Sequence, residues 1–234
     1  MVTCKLLRVE PEVLDDLRGF LDSGKVTVYD SKRVTEDERE EIEFKVSAKS
    51  ESNKFGRNYT IQLDVPLSYY NRDSGHVNAK ITKQFETQFY GVKEFAPTFA
   101  LFVSGRDFRH FVNAMSEYLK NDSWNVPLQF KLHQCEEKLR NKFGNFRRFY
   151  TRDMDNDLVT KAQINGTTLE RSPEYRHFLK DYHGTLSGIA IEFKGNWMLL
   201  TEDGKIFSPT ADFNEHRHEY IHELLTILTK MGCC

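Results

Sequence analysis

The sequence predicts an α+β protein with an N-terminal antiparallel sheet region, a helical middle, and a C-terminal small β-meander with a packed terminal helix. Three observations predict it. Apolar and polar residues alternate across 59–65 and 77–81, the period-two signature of antiparallel strands with one solvated face. Phe108, Phe111, Val112, Met115, Tyr118 and Leu119 recur at helical spacing. Residues 188–208 read as strand, turn, strand, turn, strand, followed by an amphipathic stretch.

The expected division is 1–103, a mainly antiparallel β region with an N-terminal helix, and 104–234, a helical and β-hairpin region. One continuous domain is the alternative.

A helix is expected over 11–22, because Pro11 stands early, Val13, Leu14, Leu17 and Leu21 form a stripe, and Gly24 follows. A short strand over 25–29 comes next. Six acids with one arginine over 36–43 predict a solvated loop. Ile42, Phe44 and Val46 alternate in the strand after it, and 49–58 is polar enough to predict a loop. A polar connection is expected over 68–76, and strand character over 85–95. Residues 98–103 form a buried apolar run. Ser104, with Asp107 three residues on, predicts a helix cap.

Asn125-Val126-Pro127 then predicts a second helix, with Leu128, Leu132, Cys135 and Leu139 as its stripe and Gly144 as its break. Ser172-Pro173 predicts a third, running through Tyr182. At the C-terminal end Ile189, Ile191 and Phe193 alternate inward, Gly195-Asn196 supplies a two-residue turn, and Asp203-Gly204 a second one. Asp212 with Glu215 predicts the start of the last helix, whose stripe is Ile221, Leu224, Leu225 and Leu228.

Composition narrows the function. A net charge of −2 over 234 residues excludes a wholesale polyanion binder and leaves room for a local basic patch. The four cysteines, Cys4, Cys135, Cys233 and Cys234, form no C-x-x-C pair, which favours a reducing, cytoplasmic setting. No apolar run approaches a membrane span or the core of a signal peptide, so no membrane partner is expected. Asp153-x-Asp155-x-Asp157 begins like a calcium loop, but Leu158 and Ile164 occupy the positions that need Gly and Glu.

The leading candidate for function is the stretch 138–152. Lys138, Arg140, Lys142, Arg147, Arg148 and Arg152 are interleaved there with Phe143, Phe146, Phe149 and Tyr150. Cations neutralise phosphates, and exposed aromatic rings stack on unpaired bases. Lys138, Arg140, Lys142, Arg147, Arg148, Tyr150 and Arg152 are therefore the expected nucleic-acid contacts. The bland reading makes the phenylalanines core and the cations solvated. On this view the protein is an intracellular binding or regulatory protein that works by surface recognition, with nucleic acid or a protein as partner and no cofactor.

Two enzymatic alternatives are visible. His218-Glu219-Tyr220-Ile221-His222 satisfies H-E-x-x-H, which on a helix puts two imidazoles on one face to hold zinc and lets Glu219 activate water. A catalytic zinc needs a third protein ligand, and no Gly-x-x-His follows. Glu192-x-Lys194 on a strand resembles the carboxylate and lysine of Mg²⁺-dependent nucleases, with Asp181 and Asp203 near in sequence.

Overall fold

The computed structural model describes residues 2–23, 25–30, 42–73, 75–90, 98–103, 105–144, 146–155, 159–166 and 169–234. The expected acidic loop over 36–43 lies mostly outside them, as do the Ser104 cap and the end of the expected strand over 85–95. The chain gathers into two compact units, Leu7–Val126, and Met1–Leu6 with Pro127–Cys234. The architecture is α+β, and every strand pair whose register is described below is antiparallel.

The first strand, β1 (Val2–Val9), starts in the C-terminal unit and ends in the N-terminal one. The N-terminal unit then holds a short 3-10 turn running into α1 (Leu14–Ser23), followed by β2 (Lys25–Asp30), β3 (Ile42–Asn53), β4 (Gly56–Asn71), β5 (Gly75–Tyr90), β6 (Thr98–Phe102) and α2 (Gly105–Leu119). The strands lie in the order β2-β3-β4-β5-β6. Leu17, Phe20, Tyr59, Ile61, Leu63, Phe99, Phe111 and Trp124 share its core, which joins the alternation at 59–63 to the helical stripe of α2.

Two expected loops are strand instead. β3 runs on to Asn53 and turns at Lys54-Phe55, and β4 and β5 pair along their whole lengths from Arg57↔Phe89 to Asn71↔Gly75. Polar side chains do not prevent a strand when a partner strand satisfies its backbone, so polarity alone misplaced these ends.

β7 (Asn125–Pro127) spans the boundary between the units, and the C-terminal unit continues with α3 (Glu136–Phe143), β8 (Arg148–Arg152), β9 (Ala162–Asn165) and the single turn α4 (Pro173–Arg176). Then come β10 (Thr185–Phe193), β11 (Asn196–Thr201), β12 (Lys205–Ser208) and α5 (Ala211–Lys230). The sheet order is β1-β12-β11-β10-β8-β9. Phe149, Ile189, Ile191, Met198, Leu200 and Ile206 are fully buried on one face of it. Phe213, Ile221, Leu224, Leu225 and Leu228 of α5 are equally buried. Phe193 meets Tyr220 edge-on at 6.2 Å between ring centres, so α5 covers this face.

The helix expected from Asn125 begins only at Glu136. The backbone donors before it bond sideways: Leu128 N–H to the Leu6 carbonyl at 3.0 Å, and Phe130 N–H to that of Glu202 at 2.9 Å. A backbone committed to those partners cannot also close helical turns. The expected helix over 172–182 starts on its Ser172 cap, whose Oγ accepts from Tyr175 N–H at 3.0 Å, but widens into a π turn over His177–Asp181. The β10–β11 turn lies one residue earlier than expected. Lys194 (φ +50°) and Gly195 (φ +75°) are its central pair, the positive-φ geometry that matches strand twist. Among the described residues, no helix is long and apolar enough to cross a membrane.

Candidate nucleic-acid interface

The alternation of β8 sends Phe149 and Thr151 into the core and turns Arg148, Tyr150 and Arg152 to the opposite face, where both arginines are exposed and Tyr150 partly so. Register extends that face across the sheet. Arg148 pairs with Asn165 of β9 and with Ala190 of β10, Ala190 with Leu199 of β11, and Leu199 with Phe207 of β12. One strand position further on, Tyr150 lies between Gln163 and Gly188. A Cβ on Gly188 would come 3.0 Å from Cδ2 of Tyr150, so the tyrosine side chain rests close over the glycine. The pairing slips between Leu186 and Gly188, a bulge that leaves Ser187 free to donate its hydroxyl to the Tyr150 carbonyl at 3.3 Å.

Arg147 and Arg148 bring positive charge to this face, which also carries the exposed Glu192 beside Trp197. The Arg147 guanidinium carbon sits 4.1 Å from the centre of the Trp197 ring, a cation–π contact. Arg148 donates from Nε to the Asn165 side-chain oxygen at 2.5 Å, and more weakly to the Tyr150 hydroxyl at 3.4 Å. Neither arginine has a carboxylate partner among the described residues. Arg152 differs, since it pairs with Glu202 at 2.8 Å and Asp153 at 3.4 Å.

Three hollows open along the face. One of about 310 Å³ lies among Arg147, Arg148, Asn165, Trp197, Leu199 and Phe207. A second, about 350 Å³, is lined by Tyr150, Arg152, Lys161 and Gln163. The third, about 370 Å³, lies between Arg152, Glu202 and Asp203.

The remaining basic residues of the stretch lie elsewhere. Lys138, Arg140 and Lys142 are on α3, and Phe143 of that helix packs edge-on to Phe193 at 6.1 Å, on the side of the sheet that α5 covers. Lys138 donates to the Met231 carbonyl at 2.9 Å, at the end of α5, where a cation suits the helix dipole. Arg140 approaches Glu136 at 3.6 Å. The structure thus brings Arg147, Arg148, Tyr150 and Arg152 together and sets the three helical cations apart.

The residues of the enzymatic alternatives meet in a different arrangement. Glu192 stands on the open face opposite Trp197, whereas Lys194 reaches from the turn to α5 and binds Glu219 at 3.2 Å and Glu223 at 2.7 Å. The two members of Glu-x-Lys therefore diverge, and Asp203 lies beyond the far end of β11. The Glu223 hydrogen bond, seconded by Glu219, raises the Lys194 pKa above its ordinary value. Glu219 is thereby an ion-pair partner. His218 and His222 follow one another on α5, half-buried, and among the described residues no group of three His, Cys, Asp or Glu side chains is arranged to hold a metal ion.

Asp212 is not the helix cap expected of it. Thr210 takes the N-cap position and donates its hydroxyl to the buried Asn196. Asp212 accepts from Asn196 Nδ2 at 2.6 Å and from the Tyr220 hydroxyl at 2.8 Å. These two bonds hold its carboxyl below the usual range. The network fastens the start of α5 to the β10–β11 turn.

Trp197, Leu199, Phe207 and Asn165 were not anticipated as site residues. Their signal is in the sequence all the same. In 197–201 apolar side chains occupy both alternating positions, so one set must face away from the core. Comparison of the chain with protein-family models and with curated proteins returns no match.

Proposed function

We propose that the open face of the C-terminal sheet binds single-stranded nucleic acid. The observation that carries this is the adjacent pair Arg147 and Arg148, both without carboxylate partners among the described residues, set beside Trp197, Tyr150 and Phe207 on an uncovered face. Guanidinium groups contact phosphate in a fixed fork, and stacked rings accept any base. Arg148 and Tyr150 stand about 6.7 Å apart along β8, twice the rise per strand residue, which suits an extended strand lying along β8. The net charge of −2 is compatible with this, because screening confines charge effects to about 8–10 Å in physiological salt.

The test is fluorescence anisotropy with single-stranded DNA and RNA oligonucleotides over a salt series. Replacing both Arg147 and Arg148 by Glu removes detectable binding. Replacing both by Gln lowers the slope of log K against log salt by roughly 0.7 for each phosphate that is no longer neutralised. Absence of binding by the unaltered protein to either polymer at low salt refutes the proposal.

A further inference from the structure

We infer that the hollow among Arg147, Arg148, Trp197 and Phe207 is a single-nucleotide pocket that also takes a free nucleoside monophosphate. The inference rests on the reading above and sharpens it from a face to a place on that face. At about 310 Å³ the hollow is at the small end of ligand sites, which begin at about 300 Å³. Its lining is divided. Ala190, Trp197, Leu199, Phe207 and Pro209 contribute an apolar floor. Arg147 and Arg148 stand at one side, uncompensated by any carboxylate among the described residues.

A ligand complementary to both parts has a flat apolar body and an anionic end. A nucleotide has both. Arg147 holds its guanidinium carbon 4.1 Å from the indole centre, and a guanidinium that meets a ring in this way can also receive phosphate through its fork of N–H donors. Asn165 engages its side-chain oxygen with Arg148 and Gln163, which turns the amide N–H₂ to the role of donor at the rim, for a base oxygen or ring nitrogen. The neighbouring hollows lack this division. Arg152 is neutralised by Glu202, and Asp203 lines the third, so a phosphate there meets carboxylates.

The experiment uses the full chain with adenosine 5′-monophosphate, adenosine and inorganic phosphate, followed by calorimetry and by tryptophan emission. The monophosphate is expected to bind one to one and to quench emission. Adenosine and phosphate each bind roughly 10-fold more weakly or less, since each forfeits either the charged hydrogen bonds or the stack. Trp197→Ala abolishes monophosphate binding and Trp197→Phe restores most of it. Arg147→Gln weakens it without altering the circular dichroism, which serves if the alanine variant unfolds. Phosphate binding as tightly as the monophosphate overturns the pocket in favour of a plain anion site. An oligonucleotide that binds while the monophosphate neither binds nor displaces it overturns the pocket and leaves the face standing. Monophosphate binding without oligonucleotide binding upholds the pocket and refutes the strand-binding face.

Discussion

The two faces of the C-terminal sheet are built by the same strands with the same alternation, and they have opposite fates. On the face under α5, Ile189, Ile191, Met198, Leu200 and Ile206 are wholly withdrawn from water. On the other, Tyr150, Trp197, Leu199 and Phe207 stay half-exposed beside two arginines. Apolar burial explains the first set, because each side chain contributes on the order of 1.5–3 kcal/mol by leaving water. It explains little of the second, whose rings gain only part of that. Aromatic residues at a wet surface beside cations without carboxylate partners among the described residues are what the proposed recognition calls for.

The sharpest way to break this contrast is a pair of truncations. Leu224→Ala under the sheet should cost about 2–5 kcal/mol in denaturant unfolding. Trp197→Ala on the open face should cost less, about 1–2 kcal/mol, a cation–π pair worth about 0.5–1 kcal/mol plus the partial burial of the ring. Equal losses would mean that the open face is core, and the contrast would fail.

A smaller effect is expected at the junction of the sheet with α5. Asn196 is 2% exposed and joins Asp212, Thr210 and the Lys194 carbonyl. Asn196→Ala should cost about 1–3 kcal/mol, because Asp212 and Thr210 lose their shared partner. Oligonucleotide affinity should not change, since this network is on the covered side. Altered affinity would show that the two faces are coupled.

The smallest effect is a pH dependence. Asp212 has a folded pKa below its unfolded one, through its bonds from Asn196 and Tyr220. Its contribution is thus present above the ordinary carboxylate pKa and is lost as pH falls through the lower, folded value. The melting temperatures of the native protein and of Asp212→Asn should differ at neutral pH and converge in acid. A difference that persists unchanged at low pH contradicts the assigned bonds.

Much of the fold can be read from period alone. The β10–β11–β12 meander, the stripe of α5 and the alternation at 59–63 follow from single-residue spacing, and the structure has them. What period misses is set by distant partners. The segment over 128–130 bonds sideways to Leu6 and Glu202 in place of forming a helix, and nothing local announces that. The site divides in the same way. Arg148, Tyr150 and Arg152 share a face because they alternate, which is visible in the sequence. Their separation from Lys138 and Lys142 depends on which side of the sheet α3 takes, a tertiary choice. Trp197 joins Arg147 only because β10 and β11 bring distant residues into one row.

Gly188 bears on how this surface would bind the ligand proposed for it. With no side chain beneath it, Tyr150 settles against bare backbone, and Arg148 donates weakly from Nη1 to its hydroxyl at 3.4 Å. A ring held this way has little rotational freedom left to surrender when a partner docks, so association forfeits less entropy there than at a freely turning phenol. Enlarging the residue below to alanine would tilt that ring and slacken its hold without touching any charge.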